Sequence, residues 1–559
     1  MSVELDIADP VTEEAAALCQ PDLVVAPFLK RRIPASVWQR WLCLVVHPGP
    51  PGDRGPSALD WAILEGRSEW GVTVLQATGD FDAGPIWAHE TFALRAASKG
   101  SLYRREVADA AVNCTLRAIG TLVSKRDPAS ALTPNRPQGW KPIVRQTDRQ
   151  IDWLRDTTAR VLSKLRSADG QPGVEDALFG LPCRLYEGHP ATPELLQALP
   201  GAAPGEVTAR RDGAVLRHTV DGAVWIVQAR NALACGDGPP FKLPCALAFA
   251  DAVDALPSWP AALERDPAEW GEIRYWEVGP PQARVGCLSF DFHNGAMSTD
   301  QCRRLQKAVQ HAKRRDTRVL LMLGGADFFS NGIHLHCIEA AAHRSTDSAA
   351  DESWRNIQAM DDLALELITT TDRLTVSVLR GNAGAGGAFL ALATDEIWAH
   401  RGVVLNPHYR NMGNLYGSEY WTYLLPKRLG AAAAARLIDS RLPIGAAAAL
   451  QMGLLDRRFD AAGAAFEAQA TTHALALAAS DNLPARLAKK LNRRRADEAE
   501  RPLADYRKHE LSRMHRNFYG FDPSYHVARY HFVHKLPHSW TPRHLALHRE
   551  AGLGGVARS

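Results

Sequence analysis

The sequence predicts a multidomain α/β protein with three folded parts, and three observations carry that reading. Near the start, short apolar runs at 23–27, 42–46 and 72–76 alternate with longer mixed stretches, the pattern of buried parallel strands separated by helices in a Rossmann-like sheet. Between 178 and 250 the chain changes to short β-like runs, such as 215–220 and 223–229 joined by the turn Asp221-Gly222, which describe a small β domain. Farther on a strand-and-loop pattern repeats, 318–323 into a loop at 324–332 and 375–379 into a glycine loop at 381–387. The resulting division is 1–150, 151–250, a Pro- and Trp-rich linker at 251–282, a second α/β region at 283–480, and a C-terminal helical tail at 481–559.

Composition bounds the function. The 559 residues are 46% apolar and carry 65 basic against 62 acidic side chains, a formal charge of +3 that makes no broad electrostatic case for nucleic acid. The basic run 489–495 is followed at once by acidic residues and reads as a solvated helix face. Nine scattered cysteines without a CxxC pair imply a reducing compartment and neither zinc nor iron–sulfur. No charged-then-apolar leader opens the chain and no uninterrupted apolar stretch of about 18 residues appears, so a soluble, cytoplasmic protein without a membrane partner is expected.

Taken in order, the run 42–46 leads into His47-Pro48-Gly49-Pro50-Pro51-Gly52, too rich in proline and glycine to continue a strand or a helix. It is a loop at a strand's carboxyl end, where open α/β sheets place their ligands. Asp82 follows in Gly79-Asp80-Phe81-Asp82-Ala83-Gly84, so this end supplies a base, an orienting carboxylate and a backbone open to a flat ligand. Residues 126–149 are rich in Pro and Arg and read as a connection; 151–165 reads as a helix stopped by Gln171-Pro172-Gly173. In the second α/β region, each strand delivers a turn able to present backbone amides.

Residues 45–88 resemble the folate-binding domain of methionyl-tRNA formyltransferase and its relatives, in which an Asn-x-His motif with a Pro-rich loop ending Arg-Gly precedes a Gly-Val-Thr strand and Asp-x-Gly. The resemblance puts His47 and Asp82 at the catalytic positions and Arg54, Gly55, Gly71 and Gly84 along the folate, with 10-formyl-tetrahydrofolate as formyl donor. Formyl transfer needs such a set, since a proton leaves the attacking group while an oxyanion forms. Residues 151–250, with Ile151-Asp152-Trp153 and Pro172-Gly173, resemble the same family's C-terminal β-barrel domain. Two departures stand out. The family's catalytic Asn falls on Val45, so another donor must serve the oxyanion. The family's first strand and helix have no counterpart before Met1, so the sheet is expected to lack them, either through a late start or as a crippled domain.

The rear half resembles the crotonase, or enoyl-CoA hydratase, family, which polarises a thioester carbonyl with two backbone N–H groups from two glycine-containing loops. Ser330-Asn331-Gly332-Ile333 and Ala385-Gly386-Gly387 are those loops, with Ile333 and Gly386 at the matching positions and Gly332 and Gly387 bordering coenzyme A; the alanine-rich stretches 431–438 and 442–455 follow. A crotonase-like ββα spiral is expected. The two glutamates of hydratases fall on Phe389 and His408, so ordinary enoyl thioester hydration is not expected. In their place stands the polar, aromatic segment from Asn406 to Trp421, where His408, Tyr416 and Glu419 are the candidates for managing a proton, and Tyr420 and Trp421 read as packing.

The whole arrangement resembles the HypX (HoxX) family of nickel–iron hydrogenase maturation, most closely at Asn331-Gly332-Ile333-His334-Leu335, Leu405-Asn406-Pro407-His408-Tyr409 and the run Asn517-Phe518-Tyr519-Gly520-Phe521-Asp522-Pro523-Ser524-Tyr525-His526. That resemblance implies formyl transfer from 10-formyl-tetrahydrofolate to coenzyme A, then decarbonylation of formyl-CoA to carbon monoxide for the NiFe(CN)2CO centre, with hydrogenase maturation proteins as partners and no metal of its own. Two alternatives remain open: a non-catalytic assembly factor binding folate, coenzyme A or nickel, and a formyltransferase acting on an amine. The first draws on eight late histidines, His509, His515, His526, His531, His534, His538, His544 and His548, which have no recognised ligand spacing.

Overall fold

A computed structural model of the protein describes residues 1–5, 7–29, 31–124, 139–199, 201–231, 240–536, 541–542 and 545–551. Much of the connection expected at 126–149, together with Cys235, His538 and His544, lies outside the described residues.

The front sheet has four strands in the order Val24–Pro27, Cys43–His47, Glu69–Gln76, Ile86–Ala93. Along Cys43–His47 alternate side chains face opposite sides. Leu44 and Val46 join Leu59, Trp70, Val72 and Cys114 under the helices Ala58–Leu64 and Ala108–Val123, while Cys43 and Val45 join Ala16, Ala26 and Val37 under Asp9–Cys19 and Ala35–Trp38. Only the first pair of strands is parallel. Glu69–Gln76 runs antiparallel to Cys43–His47, and Ile86–Ala93 antiparallel to it in turn. The parallel strand expected at 72–76 is therefore corrected, because an apolar run reports burial and not direction. Val24–Pro27 and Ile86–Ala93 are the edge strands of this sheet among the described residues.

The middle part is two four-stranded antiparallel sheets around a core of Val161, Leu165, Val174, Leu185, Val224 and Ile226. Asp221-Gly222 joins the paired strands Ala214–His218 and Ala223–Ile226. The expected helix is shorter than its pattern: Thr158–Arg166, capped by the Thr157 hydroxyl.

In the rear part a six-stranded sheet runs Ile273–Val278, Val285–Phe290, Val319–Leu323, Leu374–Leu379, Glu396–His400, Arg457–Phe459, parallel except at its first pair. Ile273–Val278 falls within the stretch read as a linker, which is a correction. Its alternation, with Ile273 and Tyr275 buried and Arg274 and Trp276 less so, was obscured by the Pro- and Trp-rich neighbours. Three of these strands step directly into a second sheet, through Phe328–Ser330, Asn382–Gly384 and Val404–Asn406, closed by Ile444–Gly445. Each step turns a strand end into a loop at one end of the layer, and the site is built from these loops.

The C-terminal helices Leu483–Glu500, Leu503–Tyr519 and Ser524–His534 are not a detached tail. Leu503, Met514, Phe518 and Tyr525 are buried in one core with Phe389, Leu390 and Tyr420. Among the described residues no helix is long and apolar enough to cross a membrane.

Candidate active sites

At the front, the strand Glu69–Gln76 pins the loop that follows Cys43–His47: the Trp70 indole N–H donates to Pro48 O at 2.8 Å and the Thr73 hydroxyl to Gly49 O at 2.8 Å. The loop doubles back so that Asp53, buried and six residues after His47, places Oδ2 at 2.9 Å from His47 Nε2. Only a glycine at 49 allows this approach, since a Cβ there would lie 2.4 Å from Asp53 Oδ2 and 2.5 Å from His47 Nε2. On the other side, His47 Nδ1 faces Asp82 Oδ1 at 3.4 Å. Asp82, at a φ of 51°, also accepts a hydrogen bond from Gly55 N–H at 3.1 Å, and Arg54 Nε donates to Phe81 O at 3.0 Å. The two loops are thus tied together around the ring. Gly71 lies on the pinning strand beside Pro50, and Gly84 lies against the backbone of Gln76. Val45 shares the strand face of His47 and offers only methyl groups.

The structure brings His47, Asp82, Arg54 and Gly55 together, and Asp53 joins them. Asp53 escaped the sequence reading because an acidic residue in a Pro-Gly loop resembles ordinary turn chemistry. Its other oxygen, Oδ1, is buried without a hydrogen bond.

The rear site is a cavity of about 950 Å³, lined among others by Ile333, Gly386, His408, Tyr409 and Glu419 and bordered by the helix Ser524–His534. The two glycine loops meet there: a Cβ on Gly332 would lie 3.1 Å from Gly386 N. Gly386 opens the helix Gly386–Leu392, whose first N–H groups have no acceptor within the helix and point outward. Glu419 is buried; its Oε2 accepts a short hydrogen bond from the Tyr409 hydroxyl, and Oε1 has no partner and lies against Gly386. Burial, reinforced by the nearby Asp361 charge, raises the Glu419 carboxyl well above the usual range; burial and Glu419 raise Tyr409 likewise. His408 lines the wall with neither ring nitrogen hydrogen-bonded, and burial holds its pKa down, the nearby Arg441 backbone opposing without making a bond of ordinary geometry. Phe389, buried, stacks on Tyr409 at 5.0 Å between ring centroids.

Tyr416 is placed elsewhere. Its hydroxyl pairs with His509 Nε2 at 3.0 Å on the helix Leu503–Tyr519, and its ring lies against Trp421. Tyr409, which follows His408 in the motif, is the tyrosine that reaches Glu419. The spacing of ten residues to Glu419 gave no periodic signal, because the intervening segment is irregular. The late histidines have separate engagements: His526 bonds Phe518 O, His515 packs on Trp354, His534 on Tyr530, and His548 bonds Ser2. Among the described residues no three His, Cys, Asp or Glu side chains gather as a metal site.

The architecture is that of a formyltransferase, in its two domains, joined to a crotonase-like domain. Family models agree: formyl transferase over residues 6–119, the formyl transferase C-terminal domain over 143–233, and enoyl-CoA hydratase/isomerase over 291–543. A hydrogenase maturation factor HoxX of Bradyrhizobium diazoefficiens is 52% identical over 555 residues, 98% of this chain and 93% of that protein. The crystal structure of HypX from Aquifex aeolicus in complex with tetrahydrofolic acid superposes with a TM-score of 0.90 at 43% identity, covering 98% of this chain and 94% of that one. A methionyl-tRNA formyltransferase of Syntrophus aciditrophicus is 24% identical over 209 residues, 36% of this chain and 63% of that protein. The chain belongs to the HypX/HoxX family of hydrogenase maturation factors.

Proposed function

We propose that the protein moves a formyl group from 10-formyl-tetrahydrofolate to coenzyme A at the front site, decarbonylates formyl-CoA at the rear site, and so supplies carbon monoxide for a nickel–iron hydrogenase centre. The observation that carries this reading is the buried Tyr409–Glu419 hydrogen bond beside the two glycine loops, in a crotonase-like cavity that lacks both hydratase glutamates. Tetrahydrofolic acid bound to the Aquifex relative supports the front half.

At the front, His47 takes the proton of the coenzyme A thiol as sulfur attacks the formyl carbon, and Asp53 and Asp82 stabilise the ring when it carries that proton. The formyl C–N bond to folate then breaks and the proton goes to nitrogen.

At the rear a formyl thioester has no α-carbon, so no enolate forms. Ionised Glu419 takes the formyl proton while Tyr409 donates to it; the C–H pair stays on carbon, the C–S bond breaks with its electrons to sulfur, and the thiolate regains the proton. Carbon monoxide and coenzyme A leave, without redox change. The test is to supply formyl-tetrahydrofolate and coenzyme A, following tetrahydrofolate release and carbon monoxide capture by haemoglobin. Gas that needs both substrates and is lost in His47→Ala is the expected result. An assembly factor would release neither product, and an amine formyltransferase would release tetrahydrofolate only with an amine present.

A further inference from the structure

The turn that carries Glu419 is unusual in its backbone. Glu419 and Tyr420 stand consecutively at φ 58° and 59°, the left-handed region that side-chain-bearing residues rarely adopt, and the helix Trp421–Leu429 begins at once. Such a pair persists only where the surroundings hold it. Two buried carboxyls from two other helices do so. From Ala349–Ile368, Asp361 Oδ1 accepts both the Ser418 hydroxyl and Glu419 N–H, the latter at 2.8 Å. From Leu503–Tyr519, Glu510 accepts Tyr420 N–H at 2.9 Å, Thr422 N–H at 2.8 Å and the Thr422 hydroxyl.

The two carboxyls are not equivalent. Asp361 has a cation at its back, Arg507 Nε lying 3.7 Å from Oδ2, and its own Oδ2 makes no hydrogen bond. Glu419 forms no ion pair among the described residues: Tyr409, Asp361 and Glu510 act on it, Cys302 is near, and His408, Arg410 and Arg441 line the same cavity without pairing with it. Of the three acids, Asp361 is therefore the first to ionise.

Resting on the proposed role of Glu419, we infer that Asp361 is the positioning residue of the rear site: it bends the chain so that Glu419 aims Oε1 at Gly386, and its negative charge keeps Glu419 protonated until a substrate's arrival or higher pH removes that proton. Glu510 completes the clamp from the opposite helix. Burial puts Asp361 at about 6 and Glu510 at about 8, consistent with that order.

The variant that separates charge from shape is Asp361→Asn, since an amide oxygen still accepts both hydrogen bonds. Formyl-CoA is supplied directly to the full-length protein and the rate of carbon monoxide release is followed against pH. In the parent the rate rises as Glu419 ionises; removing the Asp361 charge makes that ionisation easier and moves the rising limb to lower pH by about one unit. Asp361→Ala loses the bonds as well and lowers the plateau. A purely structural Asp361 would lower the rate and leave the limb in place. The infrared C=O difference spectrum between the parent and Glu419→Gln, which cancels the band of Glu510, also protonated at neutral pH, gives a second readout without turnover: it isolates a band of protonated Glu419 that titrates at lower pH in the Asp361→Asn background. A limb and band unmoved in Asp361→Asn overturn the inference. Full activity in Glu419→Gln overturns the role of Glu419 instead, and the band then decides Asp361 alone.

Discussion

At the front, His47 sits between two carboxylates, Asp53 at 2.9 Å and Asp82 at 3.4 Å. At the rear, three buried carboxyls, Asp361, Glu419 and Glu510, share one five-residue turn, and the Arg507 guanidinium beside it pairs with Asp361 and Asp362. One arrangement gathers negative charge around a group able to become positive; the other gathers it around more of the same sign. The difference matches the proton that the proposed function assigns to each site. A carboxyl among carboxyls holds its proton and becomes a strong base once it is lost. Thiol activation needs the first arrangement and abstraction from a formyl carbon needs the second.

The largest expected effect separates the two halves outright. Glu419→Gln should lower carbon monoxide release from formyl-CoA by roughly 10²–10⁴-fold, the usual contribution of a positioned acid or base, while coenzyme A-dependent release of tetrahydrofolate continues. Equal loss at both ends would mean that the sites are not chemically independent.

Next comes the inner asymmetry of the front site. Asp53→Asn removes the shorter and more deeply buried partner of His47, and a hydrogen bond to a charged group contributes about 1.5–3 kcal/mol, or about 10–100-fold in tetrahydrofolate release. Asp82→Asn, at the longer contact, should cost less than about tenfold. The reverse order in steady-state rates would return the leading role to Asp82.

How much of this was legible in the residues depends on what each one needed. His47, Asp82 and the two glycine loops could be found because the chemistry requires those types at the ends of strands, and a strand end can be read from an apolar run that stops at Pro or Gly. Asp53 and Tyr409 could not, since their roles arise where a loop doubles back or an irregular segment folds, and neither carries a period. The direction of Glu69–Gln76 was hidden for a related reason, burial being the same for parallel and antiparallel neighbours. Asp361 and Glu510 come from helices distant in sequence, where an isolated acid reads as solvated surface; both are wholly buried. The C-terminal helices read as a helical tail because their few apolar side chains fit a surface supplied by the rest of the domain.

A smaller effect tests the rear cluster through stability. Burial raises Glu510 from its ordinary 4.5 to about 8 in the folded protein. Between those values the folded state binds the extra proton, so this contribution is full below about pH 4.5 and is lost as pH rises through about 8. The corresponding slope is at most about 1.4 kcal/mol per pH unit. Melting temperature should therefore fall more steeply from pH 6 to pH 8 in the parent than in Glu510→Gln. Parallel curves would remove Glu510 from the set of strained carboxyls.

The smallest expected effect concerns Tyr416, which the sequence put forward beside Glu419. Its hydroxyl bonds His509, and its backbone N–H is held by Asn517 Oδ1 at 3.1 Å, so that it ties the turn to the helix Leu503–Tyr519 from outside the cavity. Tyr416→Phe keeps the ring against Trp421 and removes one half-exposed hydrogen bond, a loss of about 0.5–1.5 kcal/mol in stability. Decarbonylation should stay within about twofold of the parent, while Tyr409→Phe, which strips Glu419 of its only hydrogen-bond donor among the described side chains, should fall by about tenfold or more. Measured side by side, the two tyrosines decide whether proton handling belongs to the buried pair or to the whole aromatic segment: comparable losses would extend it to Tyr416, and a loss confined to Tyr409 keeps it within the carboxyl cluster that distinguishes the rear site from the front.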